Sequence, residues 1–134
     1  MGQVLKEFEG RVRLVVKDFP LPSHALARPA HEAARCAGVQ GRHWEYRERL
    51  FAEQPRFERD ALVRYASDLG LDARRFARCL DGREQAAAVE ADVRQARELG
   101  VSATPTFIIG DEVLQGAHPV EAFRDAVTAA LRRR

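Results

Sequence analysis

Residues 100–116 have the sequence GVSATPTFIIGDEVLQG, in which a Thr-Pro step stands directly before two short apolar runs. A proline cannot donate a hydrogen bond to a β-ladder, so Pro105 is expected at the mouth of a strand, in a tight turn that a cis bond would suit. β-Branched and aromatic residues fill 106–109, and Gly110-Asp111 supplies a turn before apolar residues resume at 113–114. The pattern predicts a β-hairpin that ends at Gly116.

Helical periodicity dominates the rest of the chain. After the hairpin, His118 is expected to cap a helix whose first turn contains Pro119. Upstream, the pattern predicts a short helix at 4–9, a strand at 12–17 and a series of helices between residues 24 and 99. One strand, several helices, two strands and a final helix favour an α/β arrangement with a helical lid.

Most aromatic residues are predicted to pack in the core, because they recur among alanines and leucines at helical spacing. These residues are Trp44, Tyr46, Phe51, Phe57, Tyr65 and Phe76. No set of histidines has a spacing that favours a metal, so neither a metal nor a cofactor is expected.

Length and composition indicate one modest globular domain, residues 1–134. Hydrophobic residues make up 46% of the chain and charged residues 31%, and the formal net charge is +2. This charge is too small to favour a nucleic-acid partner, and no segment is apolar for long enough to cross a membrane. Residues 1–10 lack the apolar stretch of a signal peptide, so the chain as written is expected in the cytoplasm.

Three further segments extend the pattern over nearly the whole chain: residues 11–22, 27–51 and 75–82. Together with the Thr-Pro hairpin and the last helix, they resemble the DsbA-like branch of the thioredoxin-fold proteins. The resemblance implies a thioredoxin-like α/β fold with an inserted helical domain at about 24–99. It also implies disulfide oxidoreductase or isomerase chemistry, commonly outside the cytoplasm.

One part of the DsbA-like pattern is missing. In that family a strand and a helix bearing a Cys-x-x-Cys pair precede the segment matched by residues 11–22, whereas this chain has only Met1 to Gly10 there and no Cys-x-x-Cys. Disulfide exchange requires a thiolate, which the family obtains at that helix N-terminus. The chain is therefore expected to be an N-terminally truncated member that is inactive by itself, with no catalytic residue.

The Thr-Pro loop is the predicted binding site. In DsbA-like proteins the residue before this proline pairs its backbone with the substrate, so the resemblance assigns Ala103, Thr104 and Pro105 to a cis-proline loop that binds a protein or peptide. Because the family's first strand and helix are missing, Phe19, Leu21, Phe107 and Ile109 are expected to be partly uncovered.

The two cysteines have three open interpretations. Cys36 and Cys79 are too far apart in sequence for a redox motif or a zinc knuckle. They can be small buried core residues, or a reactive thiol can be among them. The resemblance adds a structural disulfide that joins the two ends of the helical insert.

The missing strand also bears on assembly. In the thioredoxin fold it lies between the strands matched by residues 12–17 and 106–109, and unpaired strand edges are prone to association. We therefore expect a homodimer, with exchange of elements as one route. Three functions remain open: a disulfide oxidoreductase or isomerase relative, a non-catalytic binding or dimerisation module, and a glutathione-dependent isomerase or transferase relative.

Overall fold

The computed structural model describes residues 2–21 and 24–133, and these divide into two compact units. The sheet unit comprises Met1–Lys17 and Arg97–Arg134, and the helical unit comprises Asp18–Ala96. In chain order the elements are α1 (Gly2–Glu7), α2 (Ala27–Val39), α3 (His43–Glu53), α4 (Arg59–Asp68), α5 (Ala73–Asp81), α6 (Ala86–Glu98), β1 (Thr106–Ile109), β2 (Glu112–Gln115) and α7 (Val120–Arg132). The predicted helical insert at 24–99 overlaps the helical unit. The assignment of residues 1–134 to a single domain that contains this insert stays a prediction.

The helical unit packs around three aromatic side chains that no solvent reaches. Tyr46, Tyr65 and Phe76 are fully buried, and the rings of Tyr46 and Phe76 lie 5.4 Å apart. The Tyr46 hydroxyl donates to the backbone oxygen of Leu62 at 2.8 Å, so the buried phenol is satisfied. On α2 the inward residues are mostly alanines, whose small side chains let α3 and α5 approach this helix closely.

Helix boundaries in this unit follow local signals. Asp72 lies directly before α5, and its side chain accepts a hydrogen bond from the Arg75 N–H at 3.1 Å. That bond satisfies one of the otherwise unpaired N–H groups of the first turn of α5. Gly70, which follows α4, has a φ of 79°, a conformation that glycine adopts without strain.

The sheet unit contains the predicted hairpin. Strands β1 and β2 pair antiparallel, with Phe107 opposite Leu114 and Ile109 opposite Glu112. Gly110 turns between them at a φ of 61°, and a Cβ atom there would lie 3.1 Å from the Cβ atom of Ala130, so only glycine fits well. One face of the hairpin packs with α1 and α7, where the residues of the shared core are Val4, Phe8, Leu114, Phe123, Ala126 and Val127.

The predicted strand at 12–17 is wrong for this structure. The described residues contain one two-stranded sheet, β1 with β2, and residues 12–17 lie outside it without regular secondary structure. Their side chains alternate between half-buried and exposed, as the sequence pattern requires. A strand also needs a neighbouring backbone, which the local pattern does not supply.

Three smaller expectations change as well. Trp44 and Phe51, predicted as core residues, are 46% and 58% exposed on α3, where both rings lie near the Arg47 guanidinium. His118 does not cap α7: Pro119 holds the N-cap position, and His118 Nε2 lies 2.9 Å from the Gln115 backbone oxygen. Residues 22 and 23, at the end of the segment matched by 11–22, lie outside the described residues.

Candidate functional site

The loop of Ala103, Thr104 and Pro105 joins the end of α6 to β1, and all three residues are exposed. Gly100 begins the connection with a φ of 80°, which ends the helical path. Pro105 is the last residue of the loop, directly before β1 begins at Thr106. The missing N–H of this proline therefore removes no hydrogen bond from the β1–β2 ladder. The Thr104–Pro105 peptide bond is cis.

Hydrogen bonds on both sides of Thr104 hold the loop in place. The Thr106 hydroxyl donates to the Ala103 backbone oxygen at 2.7 Å. The Gly116 N–H donates to the Pro105 backbone oxygen at 2.8 Å. These bonds use the carbonyls of Ala103 and Pro105 within the protein, and they join the loop to β1 and to the residue that follows β2.

Thr104 differs from its two neighbours. Among the described residues, its N–H and carbonyl take part in no backbone hydrogen bond, and the residue is exposed. A fixed loop with one solvated backbone donor and one solvated acceptor can pair with an extended peptide, as a strand edge does. Of the three loop residues, Thr104 therefore has the backbone donor and acceptor that are open to a partner.

The two cysteines lie in the helical unit and form a disulfide. Cys36 of α2 and Cys79 of α5 are joined, with their Cα atoms 5.9 Å apart. Both residues are buried in the core cluster of this unit. A surface cavity of about 260 Å³ reaches them, and its other lining residues are Val39, Gln40, Arg75, Arg78 and Glu84. No thiolate is available in the oxidised chain, because its two cysteines are both used.

A cluster of charges around two buried carboxylates, which the sequence did not predict, holds the beginning of the helical unit. Arg35 of α2 donates to the carboxylates of both Asp18 and Asp92, and His31 Nδ1 lies 2.8 Å from Asp18 Oδ1. The Asp18 N–H donates to Asp92 at 2.9 Å. Burial by itself raises the pKa of Asp18, but the hydrogen bonds from His31 and Arg35 outweigh it and hold that pKa below the ordinary aspartate value.

This cluster is structural in form. Its carboxylates have their partners within the protein, and a single arginine bridges them. The only sequence signal was an aspartate at the end of an apolar run, Asp18, with a second aspartate, Asp92, inside an amphipathic helix. Neither position indicates a partner that is 74 residues away in sequence.

Comparison with known proteins identifies the family. The thioredoxin family profile matches residues 1–129. The chain belongs to the thioredoxin family. A solved thioredoxin-like oxidoreductase from Silicibacter pomeroyi superimposes with a TM-score of 0.83 at 26% identity, covering 98% of this chain and 75% of that one. The DsbA-like thioredoxin resemblance and the fold class are therefore confirmed, in a form that is mostly helical with a small two-stranded sheet.

The similar curated proteins are much longer than this chain. The Na(+)/H(+) antiporter NhaA 1 of Salinispora arenicola is 37% identical over 129 residues, which is 96% of this chain and 20% of that protein. The Bacillus subtilis protein YwbO is 30% identical over 118 residues, or 83% of this chain and 59% of that protein. This thioredoxin-family chain spans about a fifth of the length of the antiporters it matches. Within the described residues, no helix combines the length and apolar character that a membrane crossing needs.

Proposed function

We propose that this chain is the peptide-binding part of a DsbA-like thiol-disulfide oxidoreductase or disulfide isomerase, and that these 134 residues bind polypeptide without exchanging disulfides. The observation that carries the proposal is the exposed backbone of Thr104, which hydrogen bonds at Ala103 and Pro105 hold between them. The family and the thioredoxin-like oxidoreductase neighbour support the reaction class.

Binding at this loop would use the backbone and not a particular side chain. The Thr104 N–H would donate to a peptide carbonyl and its carbonyl would accept from a peptide N–H, the pairing of an antiparallel strand. Such pairing depends little on the peptide sequence, which suits a protein that receives many unfolded chains. The thiol that attacks a disulfide would come from outside these residues, because both cysteines are buried in the helical unit.

Two variants of one residue test the binding site. Thr104→Pro deletes the N–H, whereas Thr104→Ala keeps it and removes the side chain. We expect a fluorescent unfolded peptide with alkylated cysteines to lose at least about tenfold in affinity for Thr104→Pro and about twofold or less for Thr104→Ala. Equal affinity in the two variants would contradict a backbone-binding loop.

An insulin-reduction assay with dithiothreitol tests the absence of exchange. We expect insulin to be reduced at the rate seen with dithiothreitol alone, because catalysis in this assay requires an accessible thiolate on the protein. Cys36→Ser should leave that rate unchanged. Turnover in the native chain that disappears in Cys36→Ser would assign the chemistry to the Cys36–Cys79 pair and overturn this part of the proposal.

A further inference from the structure

The surface cavity of the helical unit, about 260 Å³ in volume, leads to the Cys36–Cys79 disulfide. Both cysteines line it, although Cys36 is only 1% and Cys79 only 6% exposed. Cavities that hold drug-sized ligands measure about 300–1,000 Å³, so this one admits a small molecule and excludes a polypeptide. The disulfide is therefore within reach of a small reagent and closed to a protein substrate.

The charged side chains of the cavity have no partners within the protein. Arg75 and Arg78 lie about one turn apart on α5, and Glu84 lies in the turn that follows this helix. Within residues 2–21 and 24–133, these three side chains form no hydrogen bond and no ion pair. By contrast, Arg59 of the same unit is paired with Asp81. Two guanidinium groups and one carboxylate give the lining a net positive charge, which favours an anion.

One wall of the cavity is fixed by a second link between the helices. The Gln40 side-chain amide donates to the Asp72 carbonyl at 3.2 Å, and its oxygen accepts from the Asp72 N–H at 2.9 Å. Gln40 directly follows α2 and Asp72 directly precedes α5, so this pairing joins the two helices. The pairing does not depend on the disulfide, so it can hold α2 and α5 side by side after the disulfide opens.

We propose that this cavity binds a low-molecular-weight thiol that carries two carboxylates, and that the bound thiol reduces the Cys36–Cys79 disulfide. Arg75 and Arg78 hold the carboxylates, and the thiol meets the sulfur of Cys79, the more exposed of the two cysteines. The proposal goes beyond polypeptide binding at Thr104, because it concerns another site and another class of ligand. Either proposal can fail without the other.

Reduction takes two thiol-disulfide exchanges. The ligand thiolate attacks Cys79 Sγ, a bond forms between these two sulfurs, the Cys36–Cys79 bond breaks, and Cys36 leaves as a thiolate that takes up one proton. A second ligand thiolate attacks the ligand sulfur of the mixed disulfide, and Cys79 leaves as a thiolate that takes up another proton. The two protons are those that the two ligand thiols lost on ionisation. The ligands lose two electrons and become a disulfide, and the protein disulfide gains them and becomes two thiols.

The charges of the cavity select among thiols. Glutathione has two carboxylates for the arginines and an ammonium group for Glu84, whereas 2-mercaptoethanol is uncharged and gains nothing from either. The rate of reduction by glutathione should therefore depend on the lining, and the rate with 2-mercaptoethanol should not. Where an acidic thiol is plentiful, the helical unit loses its covalent link between α2 and α5 and becomes less stable.

The test follows reduction of the oxidised full chain by excess glutathione, with alkylation of the released thiols and mass spectrometry of the protein. The double variant Arg75→Gln with Arg78→Gln removes both positive charges of the cavity. Arg74→Gln is the matched control, because Arg74 is exposed on the same helix and does not line the cavity. Each variant is compared with the native chain for the same thiol, so differences in thiol acidity cancel. Circular dichroism melts establish that the oxidised variants fold.

We expect the rate in the native chain to saturate with glutathione concentration, because binding precedes the attack. The double variant should be at least about tenfold slower with glutathione, whereas Arg74→Gln should stay within about twofold. With 2-mercaptoethanol the double variant should stay within about twofold as well. Glutathione diethyl ester should reduce the native chain at least about tenfold more slowly than glutathione at equal thiolate concentration, a control that leaves the chain unaltered.

Three results would overturn the proposed site. The first is equal slowing in the double variant and in Arg74→Gln, and the second is equal slowing of the double variant with glutathione and with 2-mercaptoethanol. The third is a native chain that dithiothreitol reduces and glutathione leaves oxidised. Tandem mass spectrometry of the trapped mixed disulfide should locate glutathione on Cys79, and glutathione on Cys36 would overturn the assigned attack.

Discussion

The helical unit and the sheet unit differ in how completely each satisfies its own backbone. Helices α2 to α5 pair their backbone groups within themselves, bury three large aromatic residues and are joined by the Cys36–Cys79 disulfide. The sheet unit has one hairpin and a segment, residues 12–17, that lies outside the described sheet. Residues 12–15 and 106–110 line a surface groove of about 420 Å³ in this unit.

The physical reason lies in the elements themselves. A helix closes its hydrogen bonds within about four residues, whereas a strand depends on a neighbour that can be anywhere in the sequence. A chain can therefore contain a complete helical unit and an incomplete sheet. Four predictions test this contrast, and the one with the largest expected effect on stability comes first.

Phe76→Ala should cause the largest loss. The ring is fully buried against Tyr46, so its removal should lower the free energy of unfolding by about 4 kcal/mol, measured by urea denaturation. Phe51→Ala removes the same side chain from an exposed site on α3 and should cost about 0.5 kcal/mol or less. Similar losses in both variants would contradict the described core.

Removal of the disulfide should have the next largest effect. The bond closes a loop across 43 positions, and the double variant Cys36→Ala with Cys79→Ala should be about 3 kcal/mol less stable. Reduction of the native chain with dithiothreitol should shift the urea midpoint in the same direction. The double variant should not respond to dithiothreitol, and an unchanged midpoint on reduction of the native chain would count against a stabilising disulfide.

Asp18→Asn tests the charge cluster and should lower the free energy of unfolding by about 2 kcal/mol at pH 7. This is less than the loss of a whole buried ion pair, because Asp92 still binds Arg35. The pKa of Asp18 is lowered in the folded state, so its contribution is present above the unfolded pKa of about 3.9 and is lost as pH falls through the lower folded value. Urea titrations from pH 7 to pH 2 should therefore converge for the native chain and Asp18→Asn. A constant difference down to pH 2 would exclude this linkage.

A matched pair of valines gives the smallest and most direct comparison. Val127 lies in the floor of the groove, and Val89 is fully buried in α6. Val127→Ala should cost about 1.5 kcal/mol, the transfer of two methyl groups, because the open groove adds no enclosed cavity. Val89→Ala should cost about 1 kcal/mol more, since a cavity in a closed core adds to the transfer term. Equal losses would mean that the sheet unit is as closed as the helical unit.

Much of the fold was predictable from local patterns. The hairpin at 106–115 and the helix after Pro119 follow from turn chemistry and periodicity, and the structure confirms them. Trp44 and Phe51 were predicted wrongly, because helical spacing identifies an apolar stripe but not whether another element covers it. For the candidate site, the sequence indicated the three loop residues. It did not indicate the hydrogen bonds at Ala103 and Pro105, which leave the backbone N–H and carbonyl of Thr104 exposed to solvent.

The sequence by itself determined where the chain turns, which segments are helical and that no Cys-x-x-Cys is present, because these properties depend on residues close together in the chain. Only the tertiary structure decided that residues 12–17 remain outside the sheet, that Cys36 and Cys79 are joined and that Arg35 bridges Asp18 and Asp92. The disulfide and the ion pairs depend on a partner residue many positions away in the chain. The outcome for residues 12–17 depends on the lack of a neighbouring strand for them in the described sheet. The Thr-Pro hairpin depends on both: its residues predict two strands, and the structure shows that residues 106–110 line a surface groove.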